Sequence, residues 1–284
     1  MTDPEKPSTE DQRSRRNLIA IGAIAASAIV AHLATIGSAT APDTRNDQGN
    51  QNGQGNQDAQ GNQDRNLPCF LKGTVIQTVD GNKKIEDLAV GDLLPTGFGG
   101  ICPIQWIGRY LFKKSDSTKA WVKDVLPVRV ARSAFGPDVP HADLYVTKAH
   151  SLLIDGVLVP AGSLINGTTI TLWDARGRDE LEFFHIKLAR HDVICAEGAP
   201  CETLLDVDER AVNFAEYFRQ YGPPPAREAR CAPLLDYFGR RNQIKSRFRS
   251  AMSPWLDRRQ KFDIIRDRLE ERGIALLQRS ELMT

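Results

Sequence analysis

Short runs of β-forming residues, separated by tight-turn signals, fill the chain from Cys69 to about Leu205. Residues 74–79 are rich in β-branched side chains and end in Asp80-Gly81, a pair typical of tight hairpins. Further strands are predicted at 85–94, 104–107, 125–130, 144–147, 151–154, 168–173 and 181–188. Strands this short, with turns this frequent, favour an all-β fold of mostly antiparallel strands over βαβ units.

Composition narrows the possible functions. The 284 residues include 37 basic and 36 acidic side chains, so the charge balance does not indicate a nucleic-acid partner. Five cysteines leave at least one thiol free, and neither a CxxC pair nor a zinc-like His/Cys spacing is present. The sequence therefore predicts no metal and no cofactor.

The N-terminal region predicts export. Residues 17–41 carry no formal charge apart from His32, and they follow a basic stretch that ends in Arg15 and Arg16. This arrangement is typical of a twin-arginine signal read by an export translocase, with the small residues Ala39 and Ala41 at a signal-peptidase site. A membrane anchor retained at 17–41 and a buried soluble helix are the alternatives. The chain is predicted to be periplasmic or extracellular, either released or anchored.

Two further regions flank the β-rich part. Residues 42–66 repeat a Gln/Gly/Asn hexapeptide that cannot form a core, which predicts a disordered linker. Residues 208–284 form a tail with helical patterns at 209–221 and 256–277. The basic run 240–249 is interpreted as a solvated helix face, with membrane-surface or partner docking as the alternative. The partner of this tail is not identified.

Cys69 opens the β-rich part and can attack the peptide carbonyl that precedes it, that of Pro68. The attacking thiol is tethered to its target, so no entropy of association is needed. The resulting thioester requires a general acid for the departing amide nitrogen and a donor that polarises the carbonyl. His150 suits the first task, and Thr147 lies three residues before it, so that a turn would bring both side chains to one side.

These residues resemble the motifs of the Hint (Hedgehog/intein) domain, in its bacterial intein-like form. Four stretches carry the resemblance over about residues 67–207: Cys69 with Gly73 and Thr74, Val90-Gly91-Asp92, Thr147 with His150, and His191 ahead of Ala196-Glu197-Gly198. The resemblance implies a horseshoe of short strands. It also implies Cys69 as the nucleophile, His150 as the acid, Thr147 as its orienting partner and His191 as a secondary proton-transfer or positioning group. His141 and His185 are interpreted as structural.

The same resemblance sets limits on the activity. Gly198 is followed by Ala199-Pro200-Cys201, without the His-Asn pair that ends inteins, so full splicing is not expected. The predicted function is cleavage of the Pro68–Cys69 bond through a thioester, which a small external nucleophile (water, a thiol, an amine or an alcohol) resolves. Two alternatives remain: a cleavage-inactive module for binding or surface display, and a secreted cysteine hydrolase. Four segments are predicted: 1–41 signal or anchor, 42–66 linker, 67–207 Hint domain and 208–284 helical tail.

Overall fold

The computed structural model describes residues 68–207, 213–223, 228–235 and 240–282. The predicted export segment, with Arg15, Arg16, Ala39 and Ala41, and the repeat linker lie outside these residues. None of the helices within the described ranges is long and apolar enough to span a bilayer.

Thirteen strands and three α-helices make up the described structure. The strands are β1 Phe70–Leu71, β2 Val75–Thr78, β3 Gly81–Lys84, β4 Leu93–Thr96, β5 Gly100–Lys113, β6 Val128–Val130, β7 Leu144–Val146, β8 Ser151–Ile154, β9 Val157–Pro160, β10 Ile170–Leu172, β11 Glu180–Leu188, β12 Val193–Ala196 and β13 Ala199–Glu202. The helices are α1 Phe214–Tyr221, α2 Arg240–Met252 and α3 Lys261–Glu281.

The strands join in the order β10-β6-β7-β1-β11-β5-β4-β12-β13-β8-β9, with β2 paired to β12 and β3 paired to β2. Every pairing between these named strands is antiparallel. The long strand β5 pairs with β4 at its start and with β11 afterwards, so it links the two halves of the sheet. The predicted fold class, mostly antiparallel β with a helical C-terminal region, is confirmed.

Local turn chemistry explains two of the strand boundaries. Between β1 and β2, Gly73 has a φ of +92°, and the Thr74 hydroxyl donates to the Leu71 carbonyl at 2.6 Å. The continuous strand predicted at 85–94 is wrong: Ile85–Asp87 is a 3₁₀ turn, and β4 begins only at Leu93. Asp92 is the physical reason, because its carboxylate accepts the Ala89 N–H at 3.0 Å and closes a turn.

Strand β1 separates two apolar clusters. Phe70 belongs to the larger cluster, whereas Cys69 and Leu71 belong to a second cluster that includes Trp106 and Phe183. This division follows from the alternation of side chains along an extended strand. The first cysteine of the β-rich region is therefore buried on a face different from that of its neighbour Phe70.

The C-terminal region packs on the β-structure. Helix α3 contributes Phe262, Ile265 and Leu269 to the larger apolar cluster. The segment 231–235 runs beside β9, where Leu158 donates to the Pro233 carbonyl and accepts from Leu235, both at 2.8 Å. The helix predicted at 256–277 begins at Lys261 and ends at Glu281, and the basic run lies on α2.

Candidate functional site

Strand register brings three distant residues together at the start of β1. In the pairing with β11, Phe70 lies opposite Phe184 and Leu71 opposite Phe183, so the same register sets Cys69 opposite His185. In the pairing with β7, Phe70 lies opposite Val146, which sets Cys69 opposite Thr147. The candidate nucleophile therefore lies between a histidine on one side and a threonine on the other.

His185 contacts both the Cys69 thiol and the carbonyl oxygen of Pro68. Its Nε2 lies 3.2 Å from Cys69 Sγ, and its Nδ1 lies 2.5 Å from the carbonyl oxygen of Pro68. A carbonyl oxygen only accepts, which assigns the proton of the neutral ring to Nδ1. Nε2 is then free of a proton and can accept the hydrogen of the Cys69 thiol.

Packing fixes the orientation of this ring. Tyr110 meets His185 edge to face, with ring centroids 4.9 Å apart. Strand β5 pairs with the other edge of β11, and there Gly108 lies directly opposite His185. A Cβ at Gly108 would lie 3.2 Å from His185 Cδ2 and 2.6 Å from the Trp106 ring, so only glycine leaves room for both rings.

Thr147 holds the backbone of Cys69. Its Oγ1 accepts the Cys69 N–H at 3.0 Å, and its own N–H donates to the Cys69 carbonyl at 2.9 Å. The chain then turns, with the His150 N–H donating to the Thr147 carbonyl at 3.1 Å. The nitrogen of the Pro68–Cys69 peptide bond consequently has a hydroxyl as its hydrogen-bond partner.

His150 is buried behind this turn. Its ring packs on Phe70, with centroids 4.2 Å apart, and among the described residues neither ring nitrogen has a partner in hydrogen-bonding geometry. Burial lowers the pKa of His150 to about 4. The charge of the Glu202 carboxylate and the backbone of Cys69 raise this pKa, but their effect is smaller than that of burial. The ring is therefore neutral at pH 7.

We expect acid to destabilise the fold through His150. Its pKa falls from 6.5 to about 4 on folding, so the unfolded chain binds the proton at a higher pH than the folded chain does. Stability is then lost as the pH falls from about 6.5 to about 4, by about 3 kcal/mol in total at 1.36 kcal/mol per pKa unit. Urea unfolding at a series of pH values measures this loss.

His150→Asn is the matched variant for that experiment, because it removes the titrating ring and leaves Glu202 and His191 in place. Its stability should change less than that of the wild type between pH 6.5 and 4. Parallel pH profiles for the two proteins would mean that His150 does not titrate below its usual range.

His191 belongs to a second buried cluster. Its Nδ1 accepts the Cys231 N–H at 3.1 Å, which leaves the proton on Nε2, 3.3 Å from Glu202 Oε2. Glu202 Oε1 in turn accepts the N–H of Ser151 at 2.7 Å. Burial raises the pKa of Glu202, but the hydrogen bonds from His191 and Ser151 outweigh this effect, and the pKa lies below its usual value.

Part of this cluster comes from the C-terminal region. Glu228 accepts hydrogen bonds from the His191 N–H and from the ammonium group of Lys187. Lys187 also donates to the Leu205 carbonyl at 3.0 Å, and its side chain is almost completely buried. The segment 228–235 thus fixes both the backbone and the ring of His191.

The candidate residues fall into two groups. Cys69 and Thr147 meet at β1 with His150 behind them, whereas His191 is tied to Glu202, Glu228 and Cys231. Sequence reasoning left His185 among the structural histidines and did not find Glu202 or Glu228. One signal was available for His185: Phe183, His185 and Lys187 alternate along a predicted strand, which places two polar side chains on one buried face.

Cys69 differs in setting from the other thiols. None of the five cysteines, all of them within the described residues, forms a disulfide, and burial raises the pKa of Cys195 to about 11 and that of Cys231 to about 12. A cavity of about 10 Å³, bordered by Cys69 and Thr147, lies beside the Cys69 thiol. That volume suits a single water molecule.

Comparisons with known proteins give one family match and several similar solved structures. Residues 68–208, about half of the chain, match a family model described as a Hint domain. Solved structures that resemble this chain include the gp41-1 intein (16% identity, 47% of this chain and 97% of that chain, TM-score 0.33). A second is a DnaB intein from Synechocystis sp. PCC 6803 (12% identity, 48% of this chain and 98% of that chain, TM-score 0.32). A third is a bacterial intein-like domain from Clostridium thermocellum (14% identity, 48% of this chain and 97% of that chain, TM-score 0.33). No curated protein sequence matches the chain.

Proposed function

Because residues 68–208 form a Hint domain, a type of domain associated with autoprocessing, we propose that this one cleaves its own Pro68–Cys69 peptide bond. The observation that carries the proposal is the position of His185 between the two reacting groups. One ring nitrogen lies 3.2 Å from the attacking sulfur and the other 2.5 Å from the oxygen of the attacked carbonyl.

The first step transfers the acyl group of Pro68 from nitrogen to sulfur. The Cys69 thiol gives its proton to Nε2 of His185 while Sγ bonds to the Pro68 carbonyl carbon. The negative charge that develops on the carbonyl oxygen faces the Nδ1–H of the same ring, which stabilises it. The C–N bond then breaks, and Pro68 is left as a thioester on Cys69.

The departing nitrogen of Cys69 must gain a proton as that bond breaks. Thr147 Oγ1 is already 3.0 Å from this nitrogen and can reverse its role from acceptor to donor. His150 lies behind the same turn, and its buried ring stays neutral because burial lowers its pKa more than the Glu202 carboxylate raises it. In this proposal Thr147 delivers the proton, and Thr147 is reprotonated with the proton that His185 took from the Cys69 thiol, so the step needs no further proton donor.

Water is the proposed resolving nucleophile. The cavity of about 10 Å³ beside Cys69 and Thr147 fits one water molecule but not a larger alcohol or thiol without movement of its walls. Attack of water on the thioester carbon yields the Pro68 carboxylate and returns the Cys69 thiol. Splicing is not proposed, since Ala199-Pro200-Cys201 lies within strand β13 where inteins have their terminal asparagine.

We expect the intact mass of the purified full chain to fall to that of a fragment beginning at Cys69. Hydroxylamine, which has only two heavy atoms and attacks thioesters readily, should accelerate this fall. A bulky thiol should accelerate it less, because the cavity beside the sulfur is small. The measurement is a time course of intact mass with and without each nucleophile.

Cys69→Ala is the control, because it removes the nucleophile and is expected to leave the chain intact under every condition. Cys102→Ala is matched to it, since Cys102 is a partly buried thiol of β5 and the variant should cleave like the wild type. A wild-type chain that keeps its mass over days, with hydroxylamine present, would contradict the proposal.

The second candidate function is a Hint domain that does not cleave and serves in binding or surface display. One observation favours it: Cys69 is only 3% exposed, and the space beside it is water-sized. A thioester formed there would be poorly accessible and would revert to the amide. The mass experiment with hydroxylamine distinguishes this candidate from the first.

We also propose that the chain is exported, on the strength of the basic stretch and the uncharged run at 17–41. If that run is retained as an anchor, cleavage at Pro68–Cys69 separates the Hint domain from its membrane anchor. Edman sequencing of the protein recovered from cell fractions would test this, because it distinguishes chains that begin after Ala41 from chains that begin at Cys69.

A further inference from the structure

Helix α2 and the turn after it expose an apolar surface, called here the Trp255 face: Ile244, Phe248, Met252, Trp255 and Leu256. Trp255 is 79% exposed and Phe248 67% exposed, which is unusual for the largest apolar side chains. Ile244, Phe248 and Met252 recur at intervals of four residues, so they share one side of the helix, and Trp255 and Leu256 follow in the turn after it. A contiguous apolar patch of this kind marks an interaction site.

The opposite side of α2 is polar and faces the protein. Ser246 is fully buried, and its hydroxyl donates to Asp263 of α3. Ser250 donates to Asp267 at 2.9 Å, and Arg249 forms an ion pair with Asp263. The contacts with α3 therefore fix α2 with its apolar side outward, the reverse of a helix that packs on a core.

The charge around this face identifies the class of partner. Residues 240–259 contain seven basic side chains and one acidic one. Arg247 and Arg249 pair with Glu270 and Asp263 of α3, and Arg259 pairs with Asp257, so only part of this positive charge is available to a partner. Arg241 and Lys245 are exposed beside the apolar side chains. Two copies of such a surface would repel each other, whereas an anionic partner would be attracted.

We propose that the Trp255 face docks on the surface of an anionic lipid bilayer. Exposed Trp, Phe and Leu beside Arg and Lys are what a helix lying in the membrane interface requires: the apolar groups enter the headgroup boundary and the basic groups pair with anionic lipids. The interaction is separate from bond cleavage and does not depend on it.

The sequence offers a reason for the domain to be near a membrane. If residues 17–41 are retained as an anchor, the linker 42–66 joins them to the domain. The composition of these 25 residues (66 − 42 + 1) predicts a flexible linker, and a Gly-rich chain of that length has a root-mean-square length of about 28 Å. Docking then becomes an intramolecular event at high effective concentration, so a weak interfacial helix suffices.

The test uses the full chain with vesicles of 30% phosphatidylglycerol and 70% phosphatidylcholine, with or without bromine atoms on the acyl chains. Bromine quenches tryptophan that enters the bilayer. The fluorescence of Trp255 is obtained as the difference in tryptophan fluorescence between the wild type and Trp255→Phe. We expect brominated lipid to quench most of the Trp255 fluorescence. In an Arg241→Glu/Lys245→Glu background the Trp255 fluorescence should persist with brominated lipid, because the basic side chains that pair with anionic lipids are lost.

Trp121→Phe is the matched control, because Trp121 donates to the Arg178 carbonyl on the β-structure and should show no quenching by bromine. Quenching is measured on vesicle-bound protein, because residues 17–41 could also bind the chain to vesicles by inserting into the bilayer. Insertion of 17–41 alone would leave the fluorescence of Trp255 unquenched. An unquenched Trp255 on vesicle-bound protein would overturn the proposal. So would a dimer that Phe248→Ser dissociates, since that would assign the face to a second copy.

Discussion

Replacing His185 with glutamine is expected to slow cleavage of the Pro68–Cys69 bond about 10³-fold, within the range for loss of a general base. Glutamine can still donate to the Pro68 oxygen, but it cannot accept the thiol proton that Nε2 accepts in the wild type. The measurement is the first-order rate of appearance of the fragment that begins at Cys69.

His185→Phe removes the donor as well as the base, so its rate should fall below that of His185→Gln. His141→Gln is the matched control, because His141 is partly exposed and lies 3.4 Å from Glu197. Thermal unfolding of each variant separates loss of chemistry from loss of fold. Cleavage of His185→Gln at the wild-type rate, with cleavage abolished in Cys69→Ala, would mean that another group activates the thiol.

The parts of the site that sequence could predict are those held by local structure. Gly73 adopts a φ of +92° in the turn after β1, and Thr147 and His150 close a turn of four residues. Such features depend on neighbours within a few positions, so their residues carry a recognisable pattern. Strands β7, β8 and β11 were likewise predicted within one residue of their observed bounds, from β-branched and apolar runs.

The position of His185 could not be predicted in the same way. It depends on which strand pairs with β1 and in which register, across 116 positions of sequence. A shift of one residue would turn His185 to the other face of β11 and remove it from Cys69. The pattern of the strand indicated a buried histidine, but nothing in a single sequence gives its partner.

The C-terminal region presents a similar difficulty. The basic composition of 240–249 indicated a helix face in solvent, yet its buried serine and its ion pair with Asp263 depend on contact with α3. Glu228 reaches Lys187 and His191 from a segment that carries no motif of its own. Long-range polar contacts of this kind require the folded chain.

Replacing Lys187 with methionine is expected to lower the free energy of unfolding by about 3–5 kcal/mol, the usual cost of removing one partner of a buried ion pair. The side chain of Lys187 is 4% exposed, and its ammonium group contacts both Glu228 and the Leu205 carbonyl. Methionine fills most of the volume of the lysine side chain but cannot pair with the Glu228 carboxylate. Among the described residues, that carboxylate then keeps only the hydrogen bond from the His191 N–H. Urea unfolding of the full chain measures the loss.

Lys113→Met is the control, because Lys113 pairs with Glu180 at 2.6 Å on the surface, where both side chains are more than half exposed. Removing such a pair should cost less than about 1 kcal/mol. The double variant Lys187→Met/Glu228→Leu should recover part of the loss, since it leaves neither charge buried alone. It would also remove the acceptor of the buried His191 N–H, so the recovery of stability should be incomplete. Equal losses for Lys187→Met and Lys113→Met would mean that segment 228–235 is held by its apolar and backbone contacts to β9 and not by this ion pair.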